Sequence, residues 1–194
     1  MSYSIEASSD DCYEGTTCLI NKLDIRDEAL LKKTESAVTL AKISYLNLKP
    51  LPGAFDLAHY RAIHRFLFGD LYEWAGELRT TELSKKGTVF MAASQIESAA
   101  NACFDRIAAL DFGAMEREER IEQLADFYST LNIIHPFREG NGRTQRVFFT
   151  QWLRHLGYDV DFSMVDPDMF LFATIHAAQG ILDDLRGIFS ALMN

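Results

Sequence analysis

The sequence predicts a mainly α-helical single domain, with six to eight helices and one small β-hairpin. Three observations carry this expectation. Long stretches place apolar residues at helical spacing. A single short stretch is rich in Thr, Val and Phe around a Lys-Lys-Gly turn. The chain has 194 residues, 48% hydrophobic and 24% charged, which suffices for one core.

Each element has its own signal. Residues 1–12 are polar and are expected to form a loose N-terminal segment, with the domain spanning 13–194. Residues 26–46 are rich in helix formers, with acid early as the helix dipole prefers. "KPLPG" at 49–53 is a stop signal. The next helix, from Phe55, spaces Leu57, Tyr60, Ile63, His64, Leu67 and Phe68 along one side. "RTTELSKKGTVFM", 79–91, is the hairpin stretch, with a flap at 83–91. Helical periodicity returns from Ser94, read as a cap, and again over 116–134. A further helix follows in "GRTQRVFFTQWLRHLG" and ends at Gly157, and "DPDMFLFATIHAAQG" and "ILDDLRGIFSALM" are two short final helices.

The composition bounds the function. A net charge of -9 argues against a general nucleic-acid binder, which would carry a basic face. The three cysteines have no metal-like spacing and suit a reduced compartment. No secretory leader is visible at the start and no apolar run has the length of a membrane span. A soluble, cytoplasmic protein is the expectation.

One stretch fits no regular element: "HPFREGNGR", 135–143. Pro136 interrupts the preceding helix. Gly140-Asn141-Gly142 then falls at a helix N-terminus, where free N–H groups and the positive end of the dipole favour an anion. Glycines let the backbone curl around that anion, and Asn141 tolerates unusual dihedrals and adds a donor. Arg143 and Arg146, three apart, share a helix face and suit more than one phosphate. Glu139 beside phosphates makes sense with a cation between them, and Mg²⁺ takes one or two carboxylates plus phosphate oxygens. His135 has the ordinary pKa of a base near neutrality. Phe137 is an anchor that buries its ring. The bland alternative is a glycine-rich turn with an incidental histidine. His59, His64, His155 and His176 are read as core or surface residues, Trp74 as packing, and 116–120 and Lys85-Lys86 as solvated.

"HPFREGNGRTQR" resembles the signature of Fic-domain proteins of the Fic/Doc family, H-P-F-x-[D/E]-G-N-G-R-x-x-R, matched at every specified position from His135 to Arg146. "IHRFLFGDLYEWAGELRT" (63–80) and "YEGTTCLINKLDI" (13–25) are also similar to that family's segments. The resemblance implies an all-α core and transfer of AMP from Mg-ATP onto a protein hydroxyl. It implies His135 as base, Glu139 on Mg²⁺, Gly140, Asn141 and Gly142 cradling phosphates, and Arg143 and Arg146 on the outer phosphates. It places Thr88, Val89 and Phe90 of the flap at the nucleotide, with the flap pinning a target segment as an added strand. Gly142 argues against the related kinase, which has Lys there.

The family's inhibitory pattern, [S/T]-x-x-x-E-[G/N], is not matched. Ser2 to Glu6 has the spacing but Ala7 breaks it, and Glu14-Gly15 has the ending but Asp10 stands at its start. The resemblance therefore implies a toxin held by a separate small antitoxin, acting on a Ser, Thr or Tyr hydroxyl, with type II topoisomerase ATPase subunits as the target class it suggests. No membrane and no direct nucleic-acid contact is expected. Two alternatives stay open: a nucleotide-binding interaction module without turnover, and the same fold with another phosphate donor.

Overall fold

The computed structural model describes residues 11–85 and 87–193. Seven helices are present among them: α1 (Glu28–Leu48), α2 (Leu57–Phe68), α3 (Ile96–Ala108), α4 (Arg117–Ile134), α5 (Asn141–His155), α6 (Pro167–Ala178) and α7 (Asp183–Leu192). One antiparallel hairpin joins β1 (Ser84–Lys85) to β2 (Thr88–Val89), with Ser84 opposite Val89 and Lys85 opposite Thr88. The mainly α expectation holds. Among the described residues no helix is long and apolar enough to cross a membrane.

Aspartates start three of the helices. Asp27, Asp56 and Asp166 each accept a hydrogen bond from a first-turn N–H, and Pro167 opens α6 where its missing N–H costs nothing. Removing the Asp27 cap by Asp27→Ala should lower stability by about 1 kcal/mol in urea denaturation.

The centre of the molecule is α4 and α5, the two helices that flank the HPFREGNGR stretch. α4 buries Leu124, Phe127, Tyr128 and Leu131, and α5 buries Phe148, Phe149, Trp152 and Leu153. Phe148 of α5 meets Tyr60 of α2, Phe104 of α3 and Phe127 of α4 edge-on, with centroids 5.4, 5.4 and 6.3 Å away. α1 packs on α2 and α5, and α7 on α4 and α6. The connecting loop is thus carried by the most deeply packed helices of the chain.

Several local expectations need correction. α1, expected over 26–46, runs 28–48, because the Asp27 cap sets its start and it continues until Lys49, just before Pro50. Ser94 does not cap α3; it lies in a 3-10 turn, Ala93–Gln95, and Gln95 stands at the N-cap without a side-chain bond. The paired part of the hairpin is only its tip; Arg79 is buried and lies outside it. Asp11 and Cys12, grouped with the loose segment 1–12, pack against the domain: Cys12 forms a bridge to Leu19, and Asp11 pairs with the buried Arg138 at 3.0 Å. The rest of that segment, 1–10, lies outside the described residues, as does the Ser2–Glu6 spacing.

Candidate active site

α4 ends at Ile134 because His135 adopts a left-handed conformation (φ 46, ψ 60) and Pro136 follows. The loop is then closed by Asn141. The Phe137 N–H donates to Asn141 Oδ1 at 2.9 Å, and Asn141 Nδ2 donates to the Phe137 carbonyl at 2.7 Å. The Asn141 side chain therefore braces the loop and is buried; it does not line the cavity, and its donor is spent internally. The left-handed residues are His135 and Gly140. Phe137 buries its ring completely, stacked on His64 with centroids 3.8 Å apart.

His64, expected in the core or on the surface, is a core residue that holds the loop. The Gly76 N–H donates to its Nδ1 at 2.8 Å. Nδ1 thus carries no proton, so Nε2–H donates to the Glu139 carbonyl at 2.9 Å.

A cavity of about 340 Å³ opens over this loop. His135, Glu139, Gly140, Gly142, Arg143 and Arg146 line it from the motif, and Lys85, Thr88 and Phe90 from the flap. Val89 is not brought there; it is 77% exposed on the outer side of the hairpin. Lys86 lies outside the described residues. A second cavity of about 560 Å³ continues on the α1 side and shares Glu139, Arg143 and Arg146. The motif forms the ridge between the two.

His135 is sandwiched. Phe90 stacks on its ring at 3.7 Å and 9°. Its Nδ1 donates to the Asn132 carbonyl at 3.1 Å, which assigns the proton to Nδ1 and makes Nε2 the basic nitrogen. Burial, with Lys85 and Arg79 nearby, pushes its pKa down from 6.5 to about 3. This corrects the expectation of a base with an ordinary pKa: the imidazole is neutral because the site is dry, not because the pH is near its pKa. Burial likewise pushes His64 to about 3.

These two shifts set a pH dependence. Between pH 6.5 and about 3 the unfolded chain binds protons that the folded chain refuses. Stability therefore falls as pH drops through that window. From pH 7 to pH 5 each histidine should cost about 2 kcal/mol, at roughly 1.4 kcal/mol per unit. Denaturation at the two pH values should show this loss, with His135→Ala removing about half of it.

The two arginines are held differently. Arg143 Nη2 pairs with Glu35 of α1 at 2.5 Å and with Glu139 at 3.4 Å, and its guanidinium lies over the Phe68 ring. Arg146 hydrogen-bonds the buried Tyr128 hydroxyl and faces the Phe170 ring at 6.0 Å. Among the described residues no carboxylate is in ion-pair contact with Arg146. The glycines also differ. A Cβ on Gly140 would lie 2.2 Å from the Phe68 ring, whereas one on Gly142 would meet only Arg146 Nη1 at 3.4 Å. Gly140 is required by the protein; Gly142 keeps cavity space open.

Glu139 is the carboxylate of the motif nearest the α5 N-terminus. Its Oε1 accepts from the Gly140 N–H at 2.8 Å, and its side chain is 25% exposed on the ridge. Among the described residues no group of three His, Cys, Asp or Glu could hold an ion. One carboxylate cannot make a resident metal site. It does fit Mg²⁺ that arrives with a polyphosphate, whose oxygens and waters complete the shell.

Sequence reading missed Arg79, Glu35, Tyr72, Tyr128 and Asn132. Arg79 donates to the carbonyls of Thr81, Met91, His135 and Ile134 at 2.6, 2.6, 2.8 and 3.3 Å. It ties the stem of the flap to the base. Nothing in its local sequence separates this buried arginine from a surface one.

A base, two guanidiniums, a helix N-terminus and a carboxylate around one cleft are suited to attack on a phosphoryl group. The family model described as Fic/DOC family matches residues 54–153. The chain belongs to the Fic/DOC family. A probable protein adenylyltransferase of Sinorhizobium fredii is 41% identical over 179 residues, 90% of each chain. The N-terminal Fic domain of a Bartonella effector protein, a substrate of the VirB secretion system in Bartonella sp. AR 15-3, superposes with a TM-score of 0.90 at 27% identity, covering 100% of this chain and 95% of that one. The VirB-translocated effector protein BepC of Bartonella tribocorum, solved with bound AMPPNP, superposes with a TM-score of 0.88 at 27% identity, covering 98% of this chain and 99% of that one.

Proposed function

We propose that this protein transfers AMP from ATP to a hydroxyl side chain of a target protein. The chain is a Fic-type enzyme, a protein adenylyltransferase, as its relatives' names and their bound nucleotide analogue support. The observation that carries the reading is the orientation of His135: its Nδ1–H donates to the Asn132 carbonyl, so Nε2 is the basic nitrogen of a ring that lines the cavity beneath the flap.

The target hydroxyl oxygen attacks the α-phosphorus of ATP, and its proton passes to His135 Nε2. The bond from the α-phosphorus to the bridging oxygen breaks, and pyrophosphate leaves with that electron pair. Asn141 and Gly142 would offer the N-terminal N–H groups of α5 to the phosphates, Gly140, whose own N–H donates to Glu139, would turn the backbone around them, and Arg143 and Arg146 would supply the positive charge. Glu139 would hold Mg²⁺, which when bound offsets phosphate charge. Thr88 and Phe90 close the cleft from the flap. The hairpin is two-stranded and short, so a target segment can add to its edge.

A toxin restrained by a separate small protein is part of this proposal. Its support is the broken inhibitory pattern at Ala7 and the exposed position of Glu14 in the turn before α1. The ATPase subunits of type II topoisomerases are the first candidate targets by resemblance.

The test is label transfer from α-labelled ATP with Mg²⁺, to a lysate and to those purified subunits. A labelled protein heavier by one AMP supports the proposal. Label entering only from the γ-position would make the enzyme a kinase, and bound ATP with no transfer to any target would favour a module without turnover.

A further inference from the structure

We propose that Glu35, braced by Tyr72, is the positioning residue for Arg143. This rests on the reading that Arg143 contacts the outer phosphates.

Glu35 lies on α1, more than a hundred residues from the motif in sequence, and is 7% exposed. A carboxylate so placed needs partners. It has one on each oxygen: Arg143 Nη2 donates to Oε1 at 2.5 Å, and the Tyr72 hydroxyl donates to Oε2 at 2.5 Å. The Tyr72 ring is itself fixed, 1% exposed and stacked on Trp74 at 4.4 Å and 13°. Thr39, one turn along α1, accepts from Arg143 Nη1 at 3.2 Å and donates its own proton to the Glu35 carbonyl. The guanidinium is thus gripped along one edge by α1 and covered by Phe68 at 4.8 Å, while Arg143 still lines both cavities.

The arrangement prepays the ordering of a long, rotamer-rich side chain. Arg146 lacks such a carboxylate clamp among the described residues, so the two cations are not equivalent. Glu35 touches neither the small cavity nor His135 and does not act on the reacting atoms. An opposite role is conceivable for any carboxylate beside a phosphate-binding arginine: it could compete with phosphate. The two roles differ in sign.

The experiment is calorimetric binding of Mg-ATP and of AMP to the intact chain and to Glu35→Ala, Tyr72→Phe and Arg143→Ala. AMP lacks the outer phosphates and reports whether the site is folded. Positioning predicts that Glu35→Ala weakens ATP about tenfold with AMP affinity unchanged, and that Tyr72→Phe, which deletes one buried hydroxyl and keeps the ring, weakens ATP roughly two- to threefold. In the Arg143→Ala background the Glu35 effect should vanish, because the two act as one unit. In turnover, KM for ATP should rise more than kcat falls. Tighter ATP binding by Glu35→Ala, or an unchanged Tyr72→Phe, overturns the inference while a weakened Arg143→Ala keeps the phosphate reading. An Arg143→Ala that binds ATP and AMP as the intact chain does ends that reading and the inference with it.

Discussion

His135→Ala should lower AMP transfer by roughly 100- to 10,000-fold while leaving ATP bound, since a positioned general base contributes about that much. The measurement pairs label transfer with calorimetry on the same preparation. The geometry makes the separation clean. His135 is buried between Phe90 and the end of α4, and its removal leaves Arg143, Arg146 and the α5 N-terminus in place. The depressed pKa, about 3, adds a second signature. The acid limb of kcat/KM reports the base of the free enzyme, so activity should not fall between pH 8 and pH 5 through protonation of this group. An acid limb near 6.5 that persists in the intact enzyme would show that the ring is solvated, and a His135→Ala protein with full activity would remove it from the chemistry.

Gly140→Ala and Gly142→Ala, adjacent but one, should behave in opposite ways. Gly140 has φ +80, and a Cβ there would meet the Phe68 ring at 2.2 Å. The left-handed backbone costs an L-residue about 1–2 kcal/mol, and forcing the buried ring aside costs about 1–3 kcal/mol more. Gly140→Ala should therefore lose about 2–5 kcal/mol in denaturation, and the loop with it. Gly142 is already helical, and its nearest neighbour would be the mobile end of Arg146 at 3.4 Å. Gly142→Ala should fold with unchanged or slightly raised stability, since alanine favours the helix, yet bind ATP roughly tenfold more weakly because its methyl occupies ligand space. Equal stability of the two variants would refute the steric argument at Gly140. Undiminished ATP binding by Gly142→Ala would place the phosphates elsewhere.

The contrast between what could and could not be read from sequence follows from distance along the chain. Asp27, Asp56 and Asp166 announce their helices because a cap bonds within three residues. The motif is legible for the same reason: His135, Glu139, Gly140 and Arg143 sit within one loop and one helical turn. Glu35, Tyr72, Arg79 and His64 reach that loop from far away, and no local pattern marks them. His64 shows this most clearly. Its spacing on α2 reads as a core position, and it is one, but both ring nitrogens are committed to hydrogen bonds that fasten Gly76 and Glu139. The bracing role of the Asn141 side chain has no sequence signal, because it exists only once the folded loop uses both ends of that amide to close on Phe137. The lowered pKa of His135 has no sequence signal, because burial is a property of the assembled core, not of the residue.

The Arg79 hub has a consequence for how such an enzyme can diversify. Four hydrogen bonds of its guanidinium end on main-chain carbonyls, at Thr81, Met91, Ile134 and His135. Main-chain acceptors are present whatever side chains accompany them. These bonds at the base of the flap therefore make no demand on the side chains they reach. Within the tip, Thr88 and Phe90 face the cavity and Phe90 stacks on His135, whereas Val89 points outward. The outer face of the hairpin can thus change in evolution separately from the face that covers the imidazole.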